Sequence, residues 1–182
     1  MTLVVTRRAA WALLAAPIAA LLLTGCQNLA PVARPQGASH SGRLAVQVEG
    51  DASRSFSASF ELHGRPEAGW MALSNPLGAQ IGVAEWSTQR AVTLRTPDET
   101  RRYPSLEAMA EELTGQSLPI AALFDWLEGR PWAARAHQPG ATDRFEQLGW
   151  DVRTDRIADG LLVAVREQPS PRVTVRARLD AR

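Results

Sequence analysis

Lysine is absent from this 182-residue chain, cysteine and tyrosine each occur once, and histidine occurs three times. A lone cysteine cannot form an internal disulfide, so the fold must be held by its apolar core. His40, His63 and His137 lie far apart, with no i, i+4 pair and no second cysteine to help. The three or four convergent ligands of a metal site are therefore missing from the pattern. There is no phosphate loop and no G-x-G-x-x-G. Gly37-Ala38-Ser39-His40-Ser41 does not match the G-x-S-x-G nucleophile elbow. Asp125 and Glu128 share a predicted helix, where paired acids ordinarily form a solvated face. No catalytic residue, metal or diffusible cofactor is expected. The all-arginine basic set reads as codon composition before functional choice.

The N-terminus supplies what the rest lacks. Arg7 and Arg8 precede an apolar run from Ala9 to Leu23, broken only by Pro17. A spanning helix needs about 20 strongly apolar residues, and this run is short and alanine-rich. A charged start, an apolar middle and a small-residue exit describe a secretory signal peptide. The exit, Leu23-Thr24-Gly25-Cys26, resembles the lipobox of bacterial lipoproteins. The resemblance implies cleavage before Cys26, a covalent diacylglycerol on its thiol and an N-acyl group. An ordinary signal peptide with a chance cysteine is the alternative. The single cysteine stands where acylation requires it, which favours the lipobox. Several acyl chains on one residue suffice for stable anchoring.

Residues 1–25 are thus read as signal peptide, 26–40 as a lipidated flexible tether and 41–182 as one domain. Removing 1–25, which hold two arginines and no acid, leaves 157 residues with 18 basic and 19 acidic side chains, net −1. That charge argues against nucleic acid, which favours a basic face. Residues 27–40 are rich in Pro, Ala, Gln, Gly and Ser and lack apolar periodicity.

From Gly42 the pattern has period two. Leu44, Val46 and Val48 alternate with Arg43, Ala45 and Gln47; Phe56, Ala58, Phe60 and Leu62 alternate with serines and Glu61. Such alternation predicts antiparallel strands with one buried face. Gly50-Asp51 lies between these two strands, in a loop read as longer than a two-residue hairpin turn. Trp70–Ser74, Ile81–Trp86 and Ala91–Arg95 read as further strands. Leu106, Met109, Ala110 and Leu113 then sit at i, i+3, i+4 and i+7, one face of a helix between Pro104-Ser105 and Gly115. A second short helix carries Ile120, Leu123 and Leu127, with Ser117 as expected N-cap and Gly129 as C-cap. Strands return at Trp150–Arg153, Leu161–Arg166 and Val173–Leu179. The fold expected is mainly β with a helical insert, a curved sheet or open barrel with helices over its mouth or concave face.

Five tryptophans lie beyond the signal: Trp70, Trp86, Trp126, Trp132 and Trp150. Each suits a core; as a set they would equally line an apolar pocket. Asn75-Pro76-Leu77-Gly78 fits a type I turn with Leu77 at its tip. Leu77 either folds back on a strand or protrudes, and protrusion would suggest contact with a membrane or an apolar partner.

These pieces together resemble the LolB family of outer-membrane lipoproteins. The matching segments run in order along nearly the whole mature chain: Leu23–Cys26, Gly42-Arg43-Leu44-Ala45, Asn75-Pro76-Leu77-Gly78, Leu113-Thr114-Gly115, Leu118-Pro119-Ile120, Leu123, Trp126-Leu127, Gly129, Pro131 and Gly149-Trp150. The resemblance implies an incomplete antiparallel β-barrel with a helical lid over an apolar cavity. It implies a monomer on the periplasmic face of the outer membrane that accepts lipoproteins from the carrier LolA and inserts them into the bilayer. It also implies that Leu77 matters for insertion. Its partners would be loaded LolA, the acyl chains of client lipoproteins and outer-membrane lipids. Gln27 replaces the Asp that retains enteric lipoproteins at the inner membrane, consistent with the outer one. Leu44, Val46, Phe56, Phe60, Leu73, Val92, Leu94, Leu123 and Leu127 are expected to line the acyl cavity, though each alone suits an ordinary core. The chain departs from the family in ending on the polar Asp180-Ala181-Arg182. A lipid-anchored barrel for another apolar ligand, an envelope scaffold and, weakest, a hydrolase are the competing readings.

Overall fold

Inward apolar and outward polar side chains alternate along nearly every strand of the computed structural model, which describes residues 37–181. Eleven strands form a single antiparallel sheet. They are β1 (Ala38–Val48), β2 (Asp51–Arg65), β3 (Ala68–Ser74), β4 (Gln80–Ser87), β5 (Arg90–Arg95), β6 (Thr100–Tyr103), β7 (His137–Pro139), β8 (Arg144–Gln147), β9 (Trp150–Arg153), β10 (Leu161–Arg166) and β11 (Val173–Leu179). Their order is β6-β5-β4-β3-β2-β1-β11-β10-β9-β8-β7. Two meanders are joined where β1 pairs with β11, from Gly42↔Leu179 to Val48↔Val173. The free edges are β6 and β7.

Two helices, α1 (Leu106–Thr114) and α2 (Ile120–Trp126), lie in the chain between β6 and β7. The chain thus leaves one free edge, forms the helices and resumes at the other. Leu44, Val46 and Val48 of β1 share one buried core with Phe60 and Leu62 of β2 and with the buried faces of both helices. This is an incomplete antiparallel barrel with a helical lid. Ser105 caps α1 by accepting the Ala108 N–H at 3.1 Å, and Gly115 (φ 65°) ends it by donating to the Glu111 carbonyl at 2.7 Å.

The structure corrects the sequence reading in four places. β1 begins at Ala38, so residues 38–40 belong to the sheet rather than to the tether. Val48 pairs with Asp51, so the β1–β2 turn is a tight two-residue turn. The extra residues follow it within β2, where Asp51 Oδ1 accepts from the N–H groups of Ser53 and Arg54. Ser117 does not cap α2; Pro119 precedes the helix and makes no side-chain cap. Nor is α2 amphipathic, since Ile120–Phe124 and Trp126 are all buried, the mark of a helix enclosed on every side. Finally, β6, β7 and β8 are strands that the sequence reading does not include; each spans three or four residues and carries at most one inward apolar side chain. The polar C-terminus leaves the last strand intact, because β11 pairs along its length with both β1 and β10.

Candidate functional site

One side chain builds the β3–β4 connection. Asn75 Oδ1 accepts hydrogen bonds from the N–H groups of Leu77 and Ala79, both at 2.9 Å. The Gly78 N–H donates to the Asn75 carbonyl at 2.9 Å, and the Asn75 N–H donates to the Ala79 carbonyl at 2.8 Å. Pro76 is preset for the turn, and Gly78 adopts φ +85°, a conformation that glycine takes without a Cβ penalty. The loop is therefore closed by its own polar groups and does not need the leucine. Leu77 points outward and is 94 % exposed.

Between the concave sheet face and the two helices lies an apolar cavity of about 140 Å³. Among the described residues of its wall the polar side chains are Thr96 and Thr114, and none is charged. Of the nine residues expected there, Leu44, Val46, Phe56, Leu73, Leu94 and Leu123 border it. Phe60, Val92 and Leu127 do not; they are buried in the surrounding core. Alternation identifies the inward face of a strand but not the height along it, and Phe60 lies four residues along β2 from the wall residue Phe56. Val92 pairs with Tyr103 of the edge strand, and Leu127 follows the last turn of α2. Trp126 and Trp150 border the cavity as well, whereas Trp86 packs edge-on against Phe124 and donates its Nε1–H to the Pro66 carbonyl.

Two buried polar side chains, unremarked in the sequence, hold the lid. Gln147 is 2 % exposed and fully engaged. Its Oε1 accepts from Trp126 Nε1 and from the Trp132 N–H, each at 2.8 Å; its Nε2 donates to the carbonyls of Trp132 and Arg135 at 2.8 and 2.9 Å. Arg166, at the inner end of β10, donates Nη1 to the Ser117 carbonyl at 3.2 Å and Nη2 to Gln116 Oε1. Its guanidinium sits 5.3 Å from the Trp150 ring centroid. Burial pushes its pKa down, yet an arginine stays charged. The α1–α2 linker is thus tied to the sheet directly behind a cavity wall residue. Arg166 carries a sequence signal in hindsight, a polar side chain where the alternation of Leu162 and Ala164 demands an inward apolar one; Gln147, on the short β8, carries none.

Among the described residues, no three of His, Cys, Asp or Glu come together as a metal site, and no helix is long and apolar enough to cross a membrane. Cys26 lies outside the described residues.

Residues 38–177 match the protein family described as Outer membrane lipoprotein LolB. The chain is similar to proteins named Outer-membrane lipoprotein LolB from several bacteria. It is 30 % identical to the one from Bordetella petrii, with 85 % of each chain covered. Identity is 34 % to that of Halorhodospira halophila, covering 77 % of each. It is 31 % to that of Cupriavidus pinatubonensis, covering 92 % of this chain and 84 % of the relative.

Proposed function

The chain belongs to the LolB family of outer-membrane lipoproteins, and from that premise we propose that it accepts lipoproteins from LolA, shelters their acyl chains in the cavity and inserts them into the outer membrane. The observation that carries this reading is the cavity itself: an interior void under a helical lid with no charged side chain in its wall. Sheltering is worth about 0.8 kcal/mol per buried CH₂, so a chain of about 16 carbons gains roughly 12 kcal/mol over exposure to water. That gain holds the cargo in aqueous surroundings, and a bilayer, which covers acyl chains more fully than a small cavity, offers a larger one, so delivery needs no nucleotide. Transfer runs downhill from carrier to receptor to membrane.

A cavity of about 140 Å³ compares with an engineered void of about 150 Å³ that admits benzene. A whole acyl chain therefore requires the lid to move outward, and the apolar core beneath the helices becomes the binding surface. Acyl groups on Cys26 would hold the domain at the destination membrane.

The test uses the full-length lipidated chain in vesicles, presented with LolA carrying a radiolabelled lipoprotein. The label should leave LolA, pass through this chain and appear in the bilayer. Label that stays on LolA, at the level seen with empty vesicles, contradicts the proposal.

A further inference from the structure

The cavity wall is buried almost everywhere. Among its described residues only Ile81 and Leu113 are exposed, at 46 % and 52 %. Each is exposed for a local reason. Along β4 the inward positions are Gly82, Ala84 and Trp86, so alternation alone would turn Ile81 away from the cavity. A bulge intervenes: Leu73 pairs with Gly82 and Ser74 with Gln80, leaving Ile81 as the unpaired extra residue. Bulges re-aim side chains in this way, and Ile81 reaches the cavity rim. On α1, the apolar stripe Leu106, Met109 and Ala110 is buried, but its fourth member, Leu113, runs past the covered part of the helix. The half-buried wall residues are Phe56, Leu73, Thr96, Thr114 and Pro119, of which Thr114 directly follows Leu113 in the chain. Gly82 places no side chain there; a Cβ would stand 3.3 Å from Leu94 Cδ1. Leu77 follows Leu73 and precedes Ile81 by four residues each, on the loop that rises from the same rim.

We infer that acyl chains enter and leave the cavity between Ile81 and Leu113, a mouth flanked by the Leu77 loop. The inference rests on the function proposed above and gives it a route. Leu77, Ile81 and the Leu73–Phe56 wall form one apolar track from the loop tip inward. An acyl chain following it exchanges one apolar contact for the next and meets no charged side chain. Ile81 and Leu113 then set the rate in both directions, because loading and discharge use the same mouth. Leu77 acts only beyond it, at the bilayer.

Photo-crosslinking tests the route. p-Benzoylphenylalanine is introduced in turn in place of Ile81, Leu113, Phe56 and Arg176, the last on the outer face of β11. Each full-length lipidated variant, in phosphatidylethanolamine–phosphatidylglycerol vesicles, is irradiated while loading with a tripalmitoylated cysteine peptide. Acyl adducts are expected at Phe56, Ile81 and Leu113 and not at Arg176. Adducts at Phe56 without Ile81 and Leu113 would show another way in and overturn the inference while leaving the function standing. Adducts at the two rim positions without Phe56 would mean surface adsorption and overturn it too. Adducts at none of the three would remove the proposed function and this inference with it. In parallel, Ile81→Glu with Leu113→Glu, both at exposed positions, should slow loading and discharge alike by about tenfold, the penalty of passing an apolar chain across carboxylates. Unchanged loading would contradict a shared mouth.

Discussion

Leu77 is the residue whose exposure the fold has no structural use for. Its own N–H is bonded to Asn75 Oδ1, and its side chain touches nothing that stabilises the loop. Changing Leu77→Glu should therefore leave thermal stability unchanged. Burying a leucine is worth about 2 kcal/mol, so losing that contact at the bilayer should slow insertion by roughly tenfold or more. Cargo should accumulate on the chain after normal uptake, which a timed transfer assay separates into its two steps. Insertion at the normal rate would remove any role for the side chain. Gln147 shows the opposite residue logic. It is invisible from outside, yet its four hydrogen bonds fasten Trp126 of α2 and the segment from Trp132 to Arg135 onto β8.

At the scale of elements, the lid is fastened through the linker between α1 and α2. Arg166→Met removes the bonds to the buried Gln116 side chain and to the carbonyl of the exposed Ser117, and leaves the Gln116 amide oxygen unsatisfied, at a cost of about 2 kcal/mol. The melting temperature should fall by about 4 to 8 °C. Hydrogen exchange should quicken in residues 115–120 before it does in β1 and β11, because the linker loses its tie while the central ladder keeps its own. Uniform quickening across the sheet would show that Arg166 supports the core and not the lid. Arg166 also marks how far the sequence could be read. Alternation in Leu44, Val46, Phe56 and Leu73 is a backbone property, and it located the concave face correctly. Strands as long as β10 and β11 declare themselves at their observed bounds. The edge strands β6 and β7 and the neighbouring β8 carry at most one inward apolar side chain each, which leaves no alternation to read. The bulge at Ile81 reverses parity at one residue, and only the ladder reveals it. Asn75-Pro76-Leu77-Gly78 is legible because its geometry is local; that Phe60, Val92 and Leu127 stand back from the cavity wall is not, because depth along a strand leaves no sequence period.

At the scale of the whole molecule, apolar surface is used in three states: buried in the core, sheltered in the cavity, and exposed at Leu77 and the rim. The domain's function on this account lies in moving an acyl chain between the last two and a bilayer. The lid must yield for that, so the receptor's closed form trades cavity volume for stability. A sheltered acyl chain would occupy the space beside Trp126 and Trp150, and fluorescence quenching reads that occupancy. The full-length chain is loaded with a lipopeptide whose acyl chains carry bromine. Tryptophan emission should fall on loading, and the fall should shrink in Trp126→Phe and Trp150→Phe but persist in Trp70→Phe, which lies on the outer face of β3. No quenching, or quenching that only Trp70→Phe diminishes, would contradict an acyl chain in the cavity.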